Sequence, residues 1–179
     1  MNIRIISGKF GGRKIQAPEG KATHPMSERV RGSLFNIINH DVQDAEVLDI
    51  FAGTGSLGLE ALSRGAASAT FVERDRMASK ILAENIKTLG VESDTTTVHI
   101  GAATWLAKNA DKRFDVIFVD PPYDDMQFSV VTRLGELLTD DGLMILSYPE
   151  KTKLPTMEGL VMTGDRNYGT ASLGFYRKG

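Results

Sequence analysis

From Val47 onward the chain alternates short apolar runs rich in β-branched and aromatic residues with stretches whose apolar positions recur at helical spacing. The pattern predicts strand 46–51, helix 56–64, strand 69–73, helix 76–89, strand 96–100, helix 102–109, strand 114–119, helix 126–139 and strand 142–148. Such alternation implies an α/β fold, a parallel sheet with helices on both faces. After Pro149 two extended runs, Leu160 to Thr163 and Ala171 to Tyr176, flank Asn167-Tyr168-Gly169 and read as an antiparallel hairpin added to the sheet. Ahead of the alternation, Ile3 to Ile15 carries apolar stretches broken by Ser7-Gly8 and Gly11-Gly12, a small hairpin closed by the turn Ala17-Pro18-Glu19-Gly20. Between Thr23 and Asn39, the spacing of Val30, Leu34, Ile37 and Ile38 predicts an amphipathic helix capped by Ser27 or an earlier residue. The organisation expected is a hairpin extension over residues 1–22 and a main domain over residues 23–179.

Charge sharpens this division. Residues 1–40 hold seven Lys and Arg against two acids, a local +5, while residues 41–179 hold fourteen against twenty-one, a local −7. A basic front on a near-neutral protein suggests a face made for phosphates, and Arg4, Lys9, Arg13 and Lys14 beside Phe10 suit an RNA backbone with a stacked base; Arg29 and Arg31 extend the zone. The chain has no cysteine, which removes disulfides, thiolate metal sites and a cysteine nucleophile, and His24, His40 and His99 show no ligand spacing, so no metal is expected. With no apolar run of membrane-spanning length, a cytoplasmic protein is the expectation.

The strand predicted at 114–119 ends in Asp120-Pro121-Pro122-Tyr123. Two prolines cannot continue a ladder, and each fixes its own φ, so the backbone leaves the sheet along a stiff path at the strand's carboxyl end, where open α/β sheets place ligands. The loop offers a carboxylate, a carbonyl of nearly frozen direction on Pro121 and a ring on Tyr123. Two acceptors and a stacking face match the exocyclic amine of a nucleobase.

A second motif lies upstream. Gly53, Gly55 and Gly58 follow the strand of Val47 to Phe51 with G-x-G-x-x-G spacing, and Glu73 stands fifteen residues beyond Gly58 at the end of the next strand, placed for ribose hydroxyls. The pair predicts an adenosine-containing cofactor. Asp49, on the strand feeding the loop, would repel a pyrophosphate but welcome an ammonium and a sulfonium, which favours S-adenosylmethionine over NAD and methyl transfer over hydride transfer by an oxidoreductase.

Taken together, these residues resemble the RsmD family of bacterial small-subunit (16S) rRNA guanine-N2 methyltransferases from Ile3 to Tyr176. The resemblance rests on Arg4-Ile5-Ile6-Ser7-Gly8 with Gly12-Arg13, on Val30-Arg31-Gly32-Ser33-Leu34-Phe35-Asn36-Ile37, on Leu48 to Gly58, on Asp120-Pro121-Pro122-Tyr123 and on Tyr168-Gly169. It implies a Rossmann-like class I methyltransferase sheet of seven strands, S-adenosylmethionine as donor, and a guanine of assembling or assembled small-subunit rRNA as acceptor; a monomer is expected. The chain departs from the family's pattern at His24 and Met26, at Ala102-Ala103 after Gly101, and at Ser147, where a glutamate is common and to which no role is assigned.

The roles expected are therefore Asp120, Pro121 and Tyr123 at the reacting amine; Asp49, Phe51, Ala52, Gly53, Gly55, Glu73, Arg74 and the backbone at Ala102 around the cofactor; and Arg4, Lys9, Arg13, Lys14 and Arg31 on RNA. The same motifs also serve adenine-N6 methylation of DNA, another RNA, or amide methylation of a protein, and at this stage the basic front end alone favours nucleic acid.

Overall fold

The computed structural model describes residues 1–19 and 25–179. The boundary expected at residue 22 and the departure at His24 therefore lie outside the described residues. The first element is a two-stranded antiparallel ribbon, β1 (Asn2–Arg4) and β2 (Lys14–Gln16), in which Ile3 faces Ile15. Helices α1 (Glu28–Ile37) and α2 (Asn39–Val42) follow, and Ser27 caps α1 by accepting from the Val30 N–H at 3.2 Å.

The main sheet has seven strands. In chain order its elements are β3 (Glu46–Asp49), α3 (Ser56–Ser63), β4 (Ser68–Val72), α4 (Arg76–Leu89), β5 (Thr95–Val98), α5 (Ala102–Lys108), β6 (Phe114–Val119), α6 (Phe128–Val131), β7 (Leu138–Tyr148), β8 (Leu160–Asn167) and β9 (Ser172–Lys178). The strands lie in the order β5-β4-β3-β6-β7-β9-β8; those from β5 to β7 are parallel, and β9 is antiparallel to both of its neighbours. The chain thus winds outward from β3 in one direction and from β6 in the other. The crevice between the carboxyl ends of β3 and β6 is the point where such sheets bind ligands.

Each face of the sheet carries its own apolar layer. On one side Val47, Phe71, Val116, Phe118, Ile145 and Phe175 pack beneath α1, α3 and α4; on the other, Leu48, Val72, Ile117, Val119, Met144 and Leu146 meet α5 and α6. Ribbon residues Ile5, Phe10 and Ile15 belong to the first layer. The ribbon is bolted down by Glu60 of α3, whose buried carboxylate accepts from the Ile6 and Ser7 N–H groups at 2.8 and 3.2 Å, and by Asn85 of α4, which exchanges hydrogen bonds with Gln16. Gly8 is required here: at φ +86° a Cβ would fall 1.9 Å from the Ser63 carbonyl oxygen.

One predicted element fails. In place of a helix over 126–139 the chain makes only the single turn of α6, a 3₁₀ turn at Leu134–Leu137, and then β7, which begins at Leu138 rather than at 142. Val130 and Val131 have weak helix propensity, and Gly135 weakens the pattern further. Pairing resumes early because Phe114 lies opposite Leu138, after which a register shift carries Val116 opposite Leu143. The closing hairpin forms as expected but is longer, with Gly169 at φ +86° in its turn. Among the described residues no helix is long and apolar enough to cross a membrane.

Candidate active site

Three acids converge on the crevice. Asp49 ends β3 at 1% exposure; one carboxylate oxygen accepts the Gly58 N–H at 3.1 Å, and the other, Oδ1, has no hydrogen-bond partner. Burial pushes its pKa up to about 7; the Gly58 hydrogen bond works against this, and the charges of Asp120 and Glu73 add to the rise. Asp120 follows β6 and is raised to about 6, again by desolvation, with the Ser147 hydroxyl as an opposing hydrogen bond. Glu73 closes on the glycine loop: one oxygen accepts the Gly53 N–H at 2.6 Å and the other the Asp75 N–H at 2.9 Å.

The loop itself has the conformation that its glycines permit. Gly53 and Gly55 have φ of +56° and +92°, and the space a Cβ would occupy at Gly53 is open. Ala52 lies buried beneath the loop and Phe51 is half-buried beside it. A backbone amide that would bind a phosphate is already taken by a carboxylate, and a dinucleotide's pyrophosphate would face Asp49 and Glu73 as well. A ligand carrying positive charge fits this donor set, because it would supply the missing partner of Asp49 Oδ1. Ala102 starts α5 at the same end of the sheet, and the Arg74 guanidinium reaches 3.7 Å from Asp125, linking the loop after β4 to the one after Tyr123.

At the second motif, the Pro121 carbonyl accepts no backbone hydrogen bond among the described residues. Tyr123 is 40% exposed, and its hydroxyl lies 2.7 Å from that of Ser147. Desolvation raises its pKa first, the Ser147 hydrogen bond opposes this, and the Asp120 charge adds to it. Ser147, to which the sequence assigned no role, is thus part of the site: buried near the end of β7, it is hydrogen-bonded to Tyr123 and holds the Asp120 pKa down. Its signal was a lone hydroxyl closing the apolar run Leu143 to Leu146, on the strand that must lie beside β6.

Two expectations about RNA are corrected. Arg31 is 1% exposed; its guanidinium bonds to the Arg4 carbonyl, and its Nε lies 3.6 Å from Glu60, which also pairs with Arg64 at 2.9 Å. It fastens the ribbon to α1 and cannot reach a phosphate. Phe10 is 8% exposed and packed into the core, with Lys9 and Arg13 lying 5.5 and 5.9 Å from its ring, so no base can stack there. Lys9 and Lys14 remain exposed; Arg13 donates to the Thr88 carbonyl in the last turn of α4, and Arg4 pairs with Glu28.

Comparison with known proteins finds relatives over nearly the whole chain. The family model described as Conserved hypothetical protein 95 matches residues 3–177. Ribosomal RNA small subunit methyltransferase D of Escherichia coli K12 is 39% identical over 158 residues, covering 87% of this chain and 79% of that protein, and YlbH of Bacillus subtilis is 35% identical over 98% of this chain and 99% of its own length. The solved structure of Escherichia coli yhhF superposes with a TM-score of 0.89 at 35% identity, covering 99% of this chain and 98% of that one. The chain belongs to the family that this model describes, the RsmD family of bacterial small-subunit rRNA methyltransferases that its ribbon, α1 and Asp-Pro-Pro-Tyr loop resemble.

Proposed function

We propose that the protein methylates the exocyclic N2 amine of a guanine in small-subunit rRNA, with S-adenosylmethionine as donor. The observation that carries the reading is the meeting of a buried, half-satisfied Asp49 with Asp120 in one crevice, a charge arrangement suited to a cation on one side and an amine on the other. The name of the Escherichia coli relative supplies the rRNA and the subunit, and guanine N2 is what the family resemblance implies.

S-adenosylmethionine contributes an electrophilic methyl group on a sulfonium. Asp49 would hold the ammonium of its methionine part, the glycine loop would pass beside it, and Glu73 would accept from the ribose hydroxyls. The amine of guanine is a poor nucleophile because its lone pair is delocalised into the ring. Asp120 and the Pro121 carbonyl, accepting its two N–H bonds, would turn that lone pair out of conjugation and offset positive charge as it develops. Asp120 is then positioned to receive the departing proton, for which a pKa near 6 is well matched at neutral pH. Tyr123 would stack on the extruded base and set its approach, and the exposed Lys9, Arg13 and Lys14 would hold more distant phosphates.

The test is to incubate the protein with methyl-labelled donor and, separately, with small subunits, naked rRNA and DNA, and then digest to nucleosides. Label in N2-methylguanosine from rRNA is the expected result. Label in N6-methyladenine, or in none of the three substrates, would defeat the assignment.

A further inference from the structure

An open groove of about 860 Å³ lies on the α1 face, lined by Ile6, Gly32, Ser33, Asn36 and Ile37 together with one acid, Glu28, and two arginines, Arg29 and Arg166. Strand register fixes its distance from the candidate active site. Val119 pairs with Leu146, so Asp120 is level with Ser147; Ser147 pairs with Leu173, and Leu173 with Arg166. The four residues form one row on one face of the sheet, and three strand spacings put Arg166 about 14 Å from Asp120. Nothing in the reaction proposed above uses this groove.

Its chemistry is opposite to that of the crevice. Arg29 and Arg166 are both exposed, and neither has an acidic partner among the described residues, while Glu28, the acid of the groove, is engaged by Arg4. Gly32 lines the groove without a side chain, and Ser33, another lining residue, is braced by Tyr168, their hydroxyls lying 2.6 Å apart. Ile37, 44% exposed, adds apolar surface, and the exposed Asn36 adds an amide. Two exposed guanidiniums without a carboxylate partner, that of Arg166 donating only to the Asp165 carbonyl at 2.7 Å, together with a polar edge and a small apolar surface, suit a sugar–phosphate backbone with unstacked bases.

We infer that this groove binds the phosphodiester backbone of the single-stranded RNA flanking the target nucleotide, with Arg29 and Arg166 on successive phosphates. Ser147 and Leu173, the inner members of the row, are buried, so a strand leaving the crevice for Arg166 would run over the protein surface above them, from three carboxylates to two arginines, with the target base and its flanking phosphates each drawn to their own end. The inference rests on the RNA reading above, but its test does not require turnover.

Binding of a fluorescent single-stranded RNA to the full chain is measured across a salt series for the wild type, Arg29→Ala/Arg166→Ala, Arg29→Lys/Arg166→Lys and, as control, Arg113→Ala at the opposite end of the sheet. The double alanine variant is expected to bind roughly ten- to thirtyfold more weakly at 0.1 M salt and to lose about 1.4 from the slope of log K against log salt, as two phosphate contacts on a single strand require. The lysine pair and the control are expected to keep the wild-type slope, and calorimetry with S-adenosylmethionine should show the cofactor bound equally by all four proteins. An unchanged affinity and slope in the alanine variant, or an equal loss in the lysine pair, would overturn the inference. Salt-dependent RNA binding through the groove by a protein that transfers no methyl group would instead defeat the proposed reaction and leave the groove standing.

Discussion

The crevice and the groove lie on the same face of one sheet, about three strand spacings apart, yet they solve opposite electrostatic problems. In the crevice, burial makes Asp49 and Asp120 costly to ionise and leaves Asp49 with an unmatched oxygen, so charge there is held in readiness for a cation. In the groove, the arginines stand in solvent at little cost and act on a polyanion through charge alone. The lesson is that depth decides the use of a charge. A buried acid can orient and accept a proton, whereas an exposed base can only attract and hold.

Breaking the buried side should have the largest effects. Asp120→Asn keeps the shape and an oxygen that can accept one N–H but can neither offset the developing positive charge nor take the proton, and methyl transfer is expected to fall by roughly a thousandfold with donor affinity retained, measured in single turnover with saturating donor. A parallel loss of donor binding would move Asp120 from the reacting amine to the cofactor. Next, Asp49→Asn should weaken S-adenosylmethionine binding by roughly a hundredfold while stabilising the free protein. The sign follows from its raised pKa: in the folded state the carboxyl prefers its proton, so its contribution to stability is full below about 4 and is lost as pH rises through about 7. At pH 8 the asparagine variant should therefore resist urea better than the wild type, by about 1–3 kcal/mol. An asparagine variant less stable than wild type at that pH would show that the free protein already satisfies this charge.

Ser147→Ala should give a smaller and more diagnostic change. Losing the hydroxyl that lowers the Asp120 pKa should move the acid limb of the rate profile, expected near 6 in the wild type, to higher pH. The maximal rate should drop about tenfold as Tyr123 loses its anchor, with Ser147→Thr restoring both. A rate loss with no shift of the limb would confine Ser147 to packing. Smaller still, removal of the exposed Lys9 and Lys14 should lower RNA affinity at low salt without altering the limb at all.

Much of this was legible in the chain itself, for identifiable reasons. The parallel sheet showed because its inner strands β3 and β6 are buried and read as continuous apolar runs, and the crevice showed because glycine and proline constrain backbone wherever they stand. What could not be read was anything decided by which side of an element faces the core. Arg31 and Arg29 lie two positions apart on α1, and only packing reveals that the first is sealed against Glu60 while the second faces the groove. Phe10 failed for the same reason, as its neighbours suggested a platform that the core had already claimed. Ser147 and Arg166 gain meaning only from strand order, which puts residues distant in sequence into one row. The missing helix over 126–139 reflects weak helix formers at Val130, Val131 and Gly135 together with the early pairing of Leu138 with Phe114.

The most direct test of the crevice as a site for positive charge is a carboxyl-carbon NMR titration of Asp49 and Asp120 in the protein with and without S-adenosylmethionine. Midpoints near 7 and 6 in the free protein, with that of Asp49 falling sharply once the donor is bound, are the predicted result. Ordinary midpoints near 4 for both residues, unmoved by the donor, would contradict it.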